Sequence, residues 1–177
     1  MLRSSFTRLL LLGSTLALGA CCANKSCFCQ DAYDNVVFFR FNVKPGTPGA
    51  FTAAELATII ITRTPVSPRS TFKPDTVRLT RTLAQVDDSI ALGTSLTFPS
   101  AGLRFTQYQY KIWPASLPKQ TFVIDSLRVQ SRPDAVDGCC TCYQVTRKDL
   151  RLDKDSINVM DPTGQDKPVY VLLNKKP

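Results

Sequence analysis

Prolines and small turn-forming clusters interrupt this chain at short intervals and limit what it can fold into. The 177 residues include 12 prolines and 8 glycines. The segments between them are too short for long helices or helical repeats. Apolar residues still make up 44% of the chain, which is typical of a globular protein. We therefore expect one compact domain built from short elements.

Most segments between the turns have the two-residue periodicity of strands. In residues 35–43, for example, Val37, Phe39 and Phe41 share one face of an extended chain. Regular short strands of this kind predict an all-β fold, a single antiparallel β-sandwich of about nine strands with little helix. The predicted strands are residues 35–43, 56–64, 75–83, 89–98, 103–113, 120–130, 140–148, 156–160 and 168–174.

Three local signals refine this outline. Thr52 and Glu55 have the spacing of a capping box, which predicts one helical turn before the second strand. Residues 133–138 contain turn-forming types, so a turn is expected there. Residues 161–164 predict a hairpin between the last two strands.

The absence of histidine removes several chemistries. Ser-His and Cys-His pairs, zinc sites with histidine and histidine-ligated haem all need this residue. All but one of the 14 acidic residues are aspartates, Glu55 being the exception. Nothing in their spacing selects a pair for glycoside hydrolysis. The sequence therefore predicts no enzyme, no catalytic residue and no cofactor.

The N-terminus has the features of an export signal. Arg3 and Arg8 lie at its start without any acid, and the leucine-rich segment 9–18 follows. This segment is too short to span a bilayer, which needs roughly 20 apolar residues. The predicted organisation is a removed signal over residues 1–20, a Cys-rich segment over 21–33 and a β-sandwich domain over 34–177.

Leu18, Gly19, Ala20 and Cys21 then resemble the lipobox of bacterial lipoproteins. In that family the cysteine thiol receives a diacylglyceryl group, the signal is cut just before the cysteine, and the new amine is acylated with fatty acids such as palmitate. The resemblance implies cleavage between Ala20 and Cys21 and a covalent lipid on Cys21. Two or three acyl chains anchor a protein stably, whereas one binds only marginally. The alternative is an ordinary secretory signal cut after Gly19.

The same resemblance implies a place and a role. Position 22 is cysteine and not the aspartate that retains lipoproteins at the inner membrane, so the outer membrane of a Gram-negative cell envelope is expected. The chain also resembles small envelope lipoproteins with one Ig-like or transthyretin-like domain. This resemblance concerns the fold and implies no activity. We expect a binding or structural role with the ligand open, the membrane as a partner through the anchor and an unidentified envelope protein or glycan as a further partner.

The other six of the seven cysteines form two distant triplets. An exported chain meets an oxidising compartment, which favours disulfides. Bonds between near neighbours would be strained because a disulfide needs a Cα separation of about 4.4 to 6.8 Å. We therefore expect bonds between the triplets, with the exact pairing open, and the segment after Asp34 close to the strand after Cys140 in one sheet. The triplets are Cys22, Cys27 and Cys29, and Cys139, Cys140 and Cys142.

A different reading of these cysteines is a thiolate site for Cu(I) or zinc, which would make the chain a thiol-rich metal-handling protein. A carbohydrate-binding module is a third candidate. Trp113, at a strand end, is its best exposed aromatic residue. Tyr108 and Tyr110 alternate with polar residues and are predicted to lie in the core.

Two sets of charged residues are interpreted as structural. Four aspartates suggest a calcium site, but the order of an EF-hand fails, so turn positions are expected instead. Four arginines interleaved with threonines predict a solvated sheet face. The net charge of +8 is not read as nucleic-acid binding in an exported protein. These residues are Asp149, Asp153, Asp155 and Asp161, and Arg63, Arg69, Arg78 and Arg81.

Overall fold

Nine strands account for nearly all regular structure in the residues that the computed structural model describes, which are 29, 33–93, 97–99, 102–137, 140–165 and 167–177. The helical elements in those ranges are two 3-10 turns, Leu83–Gln85 and Phe105–Gln107. The all-β prediction is confirmed. The strands are β1 (Val36–Phe41), β2 (Thr58–Pro65), β3 (Asp75–Thr80), β4 (Ile90–Gly93), β5 (Tyr108–Pro114), β6 (Phe122–Asp137), β7 (Cys140–Leu152), β8 (Asp155–Asn158) and β9 (Tyr170–Leu173).

The strands form two sheets. The large sheet has the order β3-β2-β5-β6-β7-β8, and the small sheet has the order β4-β1-β9. β4 pairs with β1 in the antiparallel sense, as predicted for the whole sandwich, but β9 pairs with β1 in the parallel sense. This one difference arises because β9 reaches the small sheet by crossing over from β8 in the large sheet.

The crossover also corrects the predicted hairpin at residues 161–164. The turn itself forms, with the Gly164 amide 3.3 Å from the Asp161 carbonyl oxygen. However, the strands on either side of it belong to different sheets and do not pair. Turn residues specify a local change of direction, and they do not specify which strand the chain meets next.

One hydrophobic core joins the sheets. On β1, Val37, Phe39 and Phe41 are at most 1% exposed, as their alternation predicts. The Phe41 ring lies 5.2 Å from that of Phe51 and 6.0 Å from that of Phe122, at the start of β6 in the large sheet. Burial of each such side chain contributes about 1.5 to 3 kcal/mol. The inner faces of the two sheets therefore pack as a sandwich.

Tyr108 and Tyr110 of β5 lie in this core, which confirms their predicted placement. Each buried hydroxyl has a hydrogen-bond partner, as such groups need in an apolar environment. The Tyr108 hydroxyl accepts from the Leu103 amide at 2.9 Å, and the Tyr110 hydroxyl donates to the Phe105 carbonyl oxygen at 2.9 Å. Both bonds fix the loop before β5. Burial raises the pKa of Tyr110, so it stays neutral.

Arg63 contradicts the prediction of a solvated arginine face, because it is only 3% exposed. It follows Ile61 on the inward side of β2, so strand alternation carries the guanidinium inward. Its Nη2 lies 3.1 Å from the Asp75 carboxylate, and its Cζ lies 4.4 Å from the centroid of the Phe98 ring and 4.9 Å from that of Tyr108. The ion pair and the ring faces replace the water that the cation has lost.

Local predictions near the loops have mixed outcomes. The capping box is confirmed, with the Thr52 amide 2.8 Å from a Glu55 carboxylate oxygen and the Glu55 amide 3.3 Å from the Thr52 hydroxyl.

The predicted turn at 133–138 is wrong, since β6 continues to Asp137. Hydrogen bonds from the Arg132 guanidinium to Oε1 of Gln144 on β7, at 2.9 and 3.2 Å, stabilise this extension.

The chain divides into two compact units. The larger comprises Ala32–Gln130 and Val145–Pro177, and the smaller contains Cys29 together with Ser131–Gln144. Within the larger unit, Lys148 of β7 donates a hydrogen bond to the carbonyl oxygen of Tyr33. The segment after residue 34 thus begins close to β7, as expected, but the expectation of one shared sheet is wrong. β1 does not pair with β7 because it pairs with β4 and β9 in the small sheet. Its apolar face packs against the large sheet, where Phe41 contacts Phe122 of β6.

The central position of β5 makes Ile112 a test of the core. Ile112 is fully buried opposite Ile61, whereas its neighbour Lys111 is exposed. We expect Ile112→Ala to lower the free energy of unfolding by about 2 to 5 kcal/mol, from lost burial and a residual cavity. Lys111→Ala is the matched control and should change it by less than about 0.5 kcal/mol. Urea denaturation measures both, and equal effects would contradict the described core.

Candidate functional site

The predicted lipid attachment and cleavage positions, Ala20 and Cys21, lie outside the described residues. So do Cys22, Cys27 and Cys139, and the side chain of Cys140 is not among those described. Acylation and cleavage therefore stay predictions from the sequence.

Among the described cysteines, a disulfide joins the two triplets. Cys29 is bonded to Cys142 on β7, with a Cα–Cα distance of 5.5 Å and a sequence separation of 113 residues. The expectation of a bond between the triplets is confirmed for this pair. Loop closure of about 100 residues corresponds to roughly 4.7 kcal/mol of stabilisation. The bond connects the segment before β1 directly to β7.

Three of the four aspartates of the suggested calcium site take part in separate local contacts, and the first of them, Asp149, pairs with Arg147. Asp153 accepts a hydrogen bond from the Val123 amide at 3.0 Å, and Asp161 accepts three backbone amides of its own turn. In the described part of the chain, no three Cys, Asp or Glu side chains lie close enough together to hold a metal ion. The four residues concerned are Asp149, Asp153, Asp155 and Asp161.

Trp113 is half-buried on β5, in register with Ile60 of β2. Trp113 is less exposed than the large apolar residues at the surface. The aromatic residues of that exposed set include Tyr143, Tyr170 and Phe72. Among the described residues, Tyr170 is the one of these three that lies in an ordered cluster with other aromatic rings, and this cluster is the candidate functional site.

The cluster covers the outward side of the small sheet, and we call it the outer aromatic face. Its members are Tyr33, Phe38, Arg40, Tyr170 and Leu172. Because β1 turns its odd-numbered side chains into the core, Phe38 and Arg40 point away from it. The parallel register places Phe38 beside Tyr170 and Arg40 beside Leu172.

Ring contacts order the outer aromatic face. The Tyr33 and Phe38 rings lie 5.5 Å apart at 70°, and the Phe38 and Tyr170 rings lie 5.7 Å apart at 55°. The Cζ of Arg40 lies 3.9 Å from the centroid of the Tyr170 ring. Such aromatic and cation–π pairs contribute about 0.5 to 1.5 kcal/mol each. The face is thus a fixed arrangement of rings with a cation stacked on its edge.

The face is also left open to solvent. Tyr170 is 41% and Leu172 is 54% exposed, although both lie within a regular strand. The Nε atom of Arg40 is buried and finds no hydrogen-bond partner among the described residues. Contiguous exposed apolar surface with a polar rim is typical of an interaction site. The chemistry offered is amphipathic contact plus one positive charge.

Reasoning from the sequence did not identify this site. A signal was present, because β1 has phenylalanines at both 38 and 39, so that each face of the strand is apolar. In the same way, Tyr170 and Leu172 alternate with the buried Val171 and Leu173. A strand that is apolar on both sides needs a cover on both, and the core supplies only one.

No family model matches the chain, and neither a curated protein nor a solved structure is similar to it at a significant level. The resemblance to Ig-like or transthyretin-like domains therefore stays a prediction. No helix in the described ranges is long and apolar enough to cross a membrane.

Removal of the disulfide should weaken the fold. We expect Cys29→Ser and Cys142→Ser each to lower the free energy of unfolding by about 4 to 5 kcal/mol, and the double variant by no more than either single one. Thr141→Ala, at the exposed position beside Cys142, is the control and should stay within about 0.5 kcal/mol. Additive losses in urea denaturation would mean that the two cysteines act separately.

Asp161 should titrate far below an ordinary aspartate. Backbone amides of Lys167, Thr163 and Gln165 and the Thr163 hydroxyl donate to its carboxylate and lower its pKa to about 2. The stabilisation of this turn is present above the unfolded pKa of about 3.9 and is lost as the pH falls through 2. Carboxyl carbon shifts against pH measure this value. Thr163→Val should raise it, and an unchanged value would contradict the hydroxyl contact.

Proposed function

We propose that this chain is a lipid-anchored protein of the bacterial cell envelope, acylated on Cys21, held at the outer membrane and serving a binding or structural role. The export signal and the lipobox-like residues are the basis for the anchor. The single structural observation that supports the proposal is the Cys29–Cys142 disulfide, because stable disulfides are typical of exported proteins.

The disulfide gives the proposed anchor a second point of attachment. Cys29 follows Cys21 by eight residues, which span at most about 29 Å when fully extended. An acylated Cys21 would therefore be connected to the domain through β1 along the chain and through β7 across the disulfide. Such a short, crosslinked connection keeps the domain close to the bilayer.

The outer aromatic face is the surface that we assign to the binding role. It combines one exposed ring, two half-buried rings, an exposed leucine and a stacked guanidinium, and it contains no pair of groups suited to acid–base or nucleophilic chemistry. The metal-handling alternative is less well supported, because the thiols of Cys29 and Cys142 are joined to each other and do not supply thiolate ligands in this state.

The anchor is tested by intact-mass analysis of protein extracted from bacterial membranes. We expect a chain that begins at Cys21 and carries diacylglyceryl and N-acyl groups. Cys21→Ser should keep residues 1–20 and carry no acyl groups in the mass spectrum. Cys22→Ser is the matched control, one residue away, and should still begin at Cys21 and carry the acyl groups. Unmodified residue 21 in the native protein would overturn the proposed anchor.

The compartment is tested separately by alkylation of thiols before and after reduction. In protein purified without reductant, Cys29 and Cys142 should be protected until reduction. If all six cysteines after Cys21 react without reduction, the disulfide is absent in the cell and the metal-handling alternative is favoured.

A further inference from the structure

The outer aromatic face needs a cover that the described residues do not provide. Its two most exposed members, Tyr170 and Leu172, lie on β9, at the edge of the small sheet. Exposed apolar groups of this size are stabilised when a partner removes them from water, by about 25 cal/mol per Å² buried. A partner of this face must fit its shape, its chemistry and its position.

The path of the chain connects this face to the N-terminal segment. Tyr33 contributes a ring to the face and stands only three residues before β1. It follows Cys21 by twelve residues, a reach of at most about 43 Å. Along the chain, the face therefore begins only four residues after Cys29, whose disulfide attaches the N-terminal segment to β7.

The residue types of the face suit a lipid surface. Tyrosine has an apolar ring with a polar tip and is enriched where membrane meets water. Leu172 offers an aliphatic group for the upper acyl-chain region. The guanidinium of Arg40 can bond phosphate oxygens while its stem remains among apolar groups. Negatively charged lipids add a favourable field for this cation.

The ring geometry fits a fluid surface better than a sugar chain. Stacking against a glycan needs rings that offer parallel faces along one plane. The three rings here are tilted by 70° and 55° from one another, and Arg40 covers one face of Tyr170. A lipid surface has no such requirement, because its molecules rearrange around tilted side chains.

We propose that the outer aromatic face lies on the lipid surface that holds the protein, with Tyr170 and Leu172 at the boundary between headgroups and acyl chains and Arg40 at the phosphate level. This inference rests on the proposed acylation of Cys21. The sandwich is then oriented on the membrane by its own small sheet, and the acyl chains act as tether.

A tryptophan reporter tests the contact. The chain has one tryptophan, so Trp113→Phe gives a silent background. Into it we place Tyr170→Trp, in the full acylated protein, in vesicles of phosphatidylethanolamine with a minority of phosphatidylglycerol. Lipids brominated along the acyl chains should reduce its emission by about half, since interfacial side chains enter the boundary by about 5 to 10 Å.

The control is Phe72→Trp in the same background. Phe72 is 42% exposed, almost the same as Tyr170, but it lies in the loop between β2 and β3, outside the outer aromatic face. Its emission should not respond to brominated lipid. Leu172→Trp is a second reporter on the face, used if Tyr170→Trp disturbs folding as judged by its urea midpoint. Arg40→Gln should weaken the quenching of the Tyr170→Trp protein.

The outcomes separate this inference from the anchor. Acylated protein whose Tyr170→Trp and Leu172→Trp reporters are both unquenched, or quenched no more than the Phe72→Trp control, overturns the membrane-facing assignment alone. The same result with crosslinking of two copies through position 172 assigns the face to self-association instead. A mass spectrum without acyl groups on Cys21 in the same sample overturns both proposals.

Discussion

The packing of β1 against the large sheet is the interaction on which the rest of the structure depends. Phe41 contacts Phe51 and Phe122 across the core, and Phe39 is completely buried beside it. Because side chains on a strand alternate, this packing leaves Phe38 and Arg40 no place in the interior. The outer aromatic face is therefore a direct consequence of how the core is filled.

The disulfide plays a complementary part at the beginning of the domain. A domain of this size is stable by only about 5 to 15 kcal/mol, so a crosslink worth several kcal/mol is a large share of the total. It also joins the segment before β1 to β7, although β1 and β7 lie in different sheets. In an anchored protein, this arrangement would spread the connection to the membrane over both sheets.

Two arginines illustrate how tertiary context decides the role of a charge. Arg63 points inward, where Asp75 and the Phe98 and Tyr108 rings surround its guanidinium. Arg40 points outward and stacks on Tyr170. Both lie in strands with alternating patterns, and residue type alone predicts solvent exposure for both. Only Arg40 is in a position to contact a partner.

The sequence by itself determined the strands, the capping box at Thr52, the inward face of β1 and the pairing between cysteine triplets. These features depend on periodicity, on turn residues and on the strain of short disulfides, all of which are local. Only the tertiary structure decided that β9 joins β1 in parallel, that Arg63 is buried and that Tyr33, Phe38 and Tyr170 form one face. The pairing of β9 with β1 joins residues more than a hundred positions apart. A local pattern specifies a face of a strand but not what lies against it.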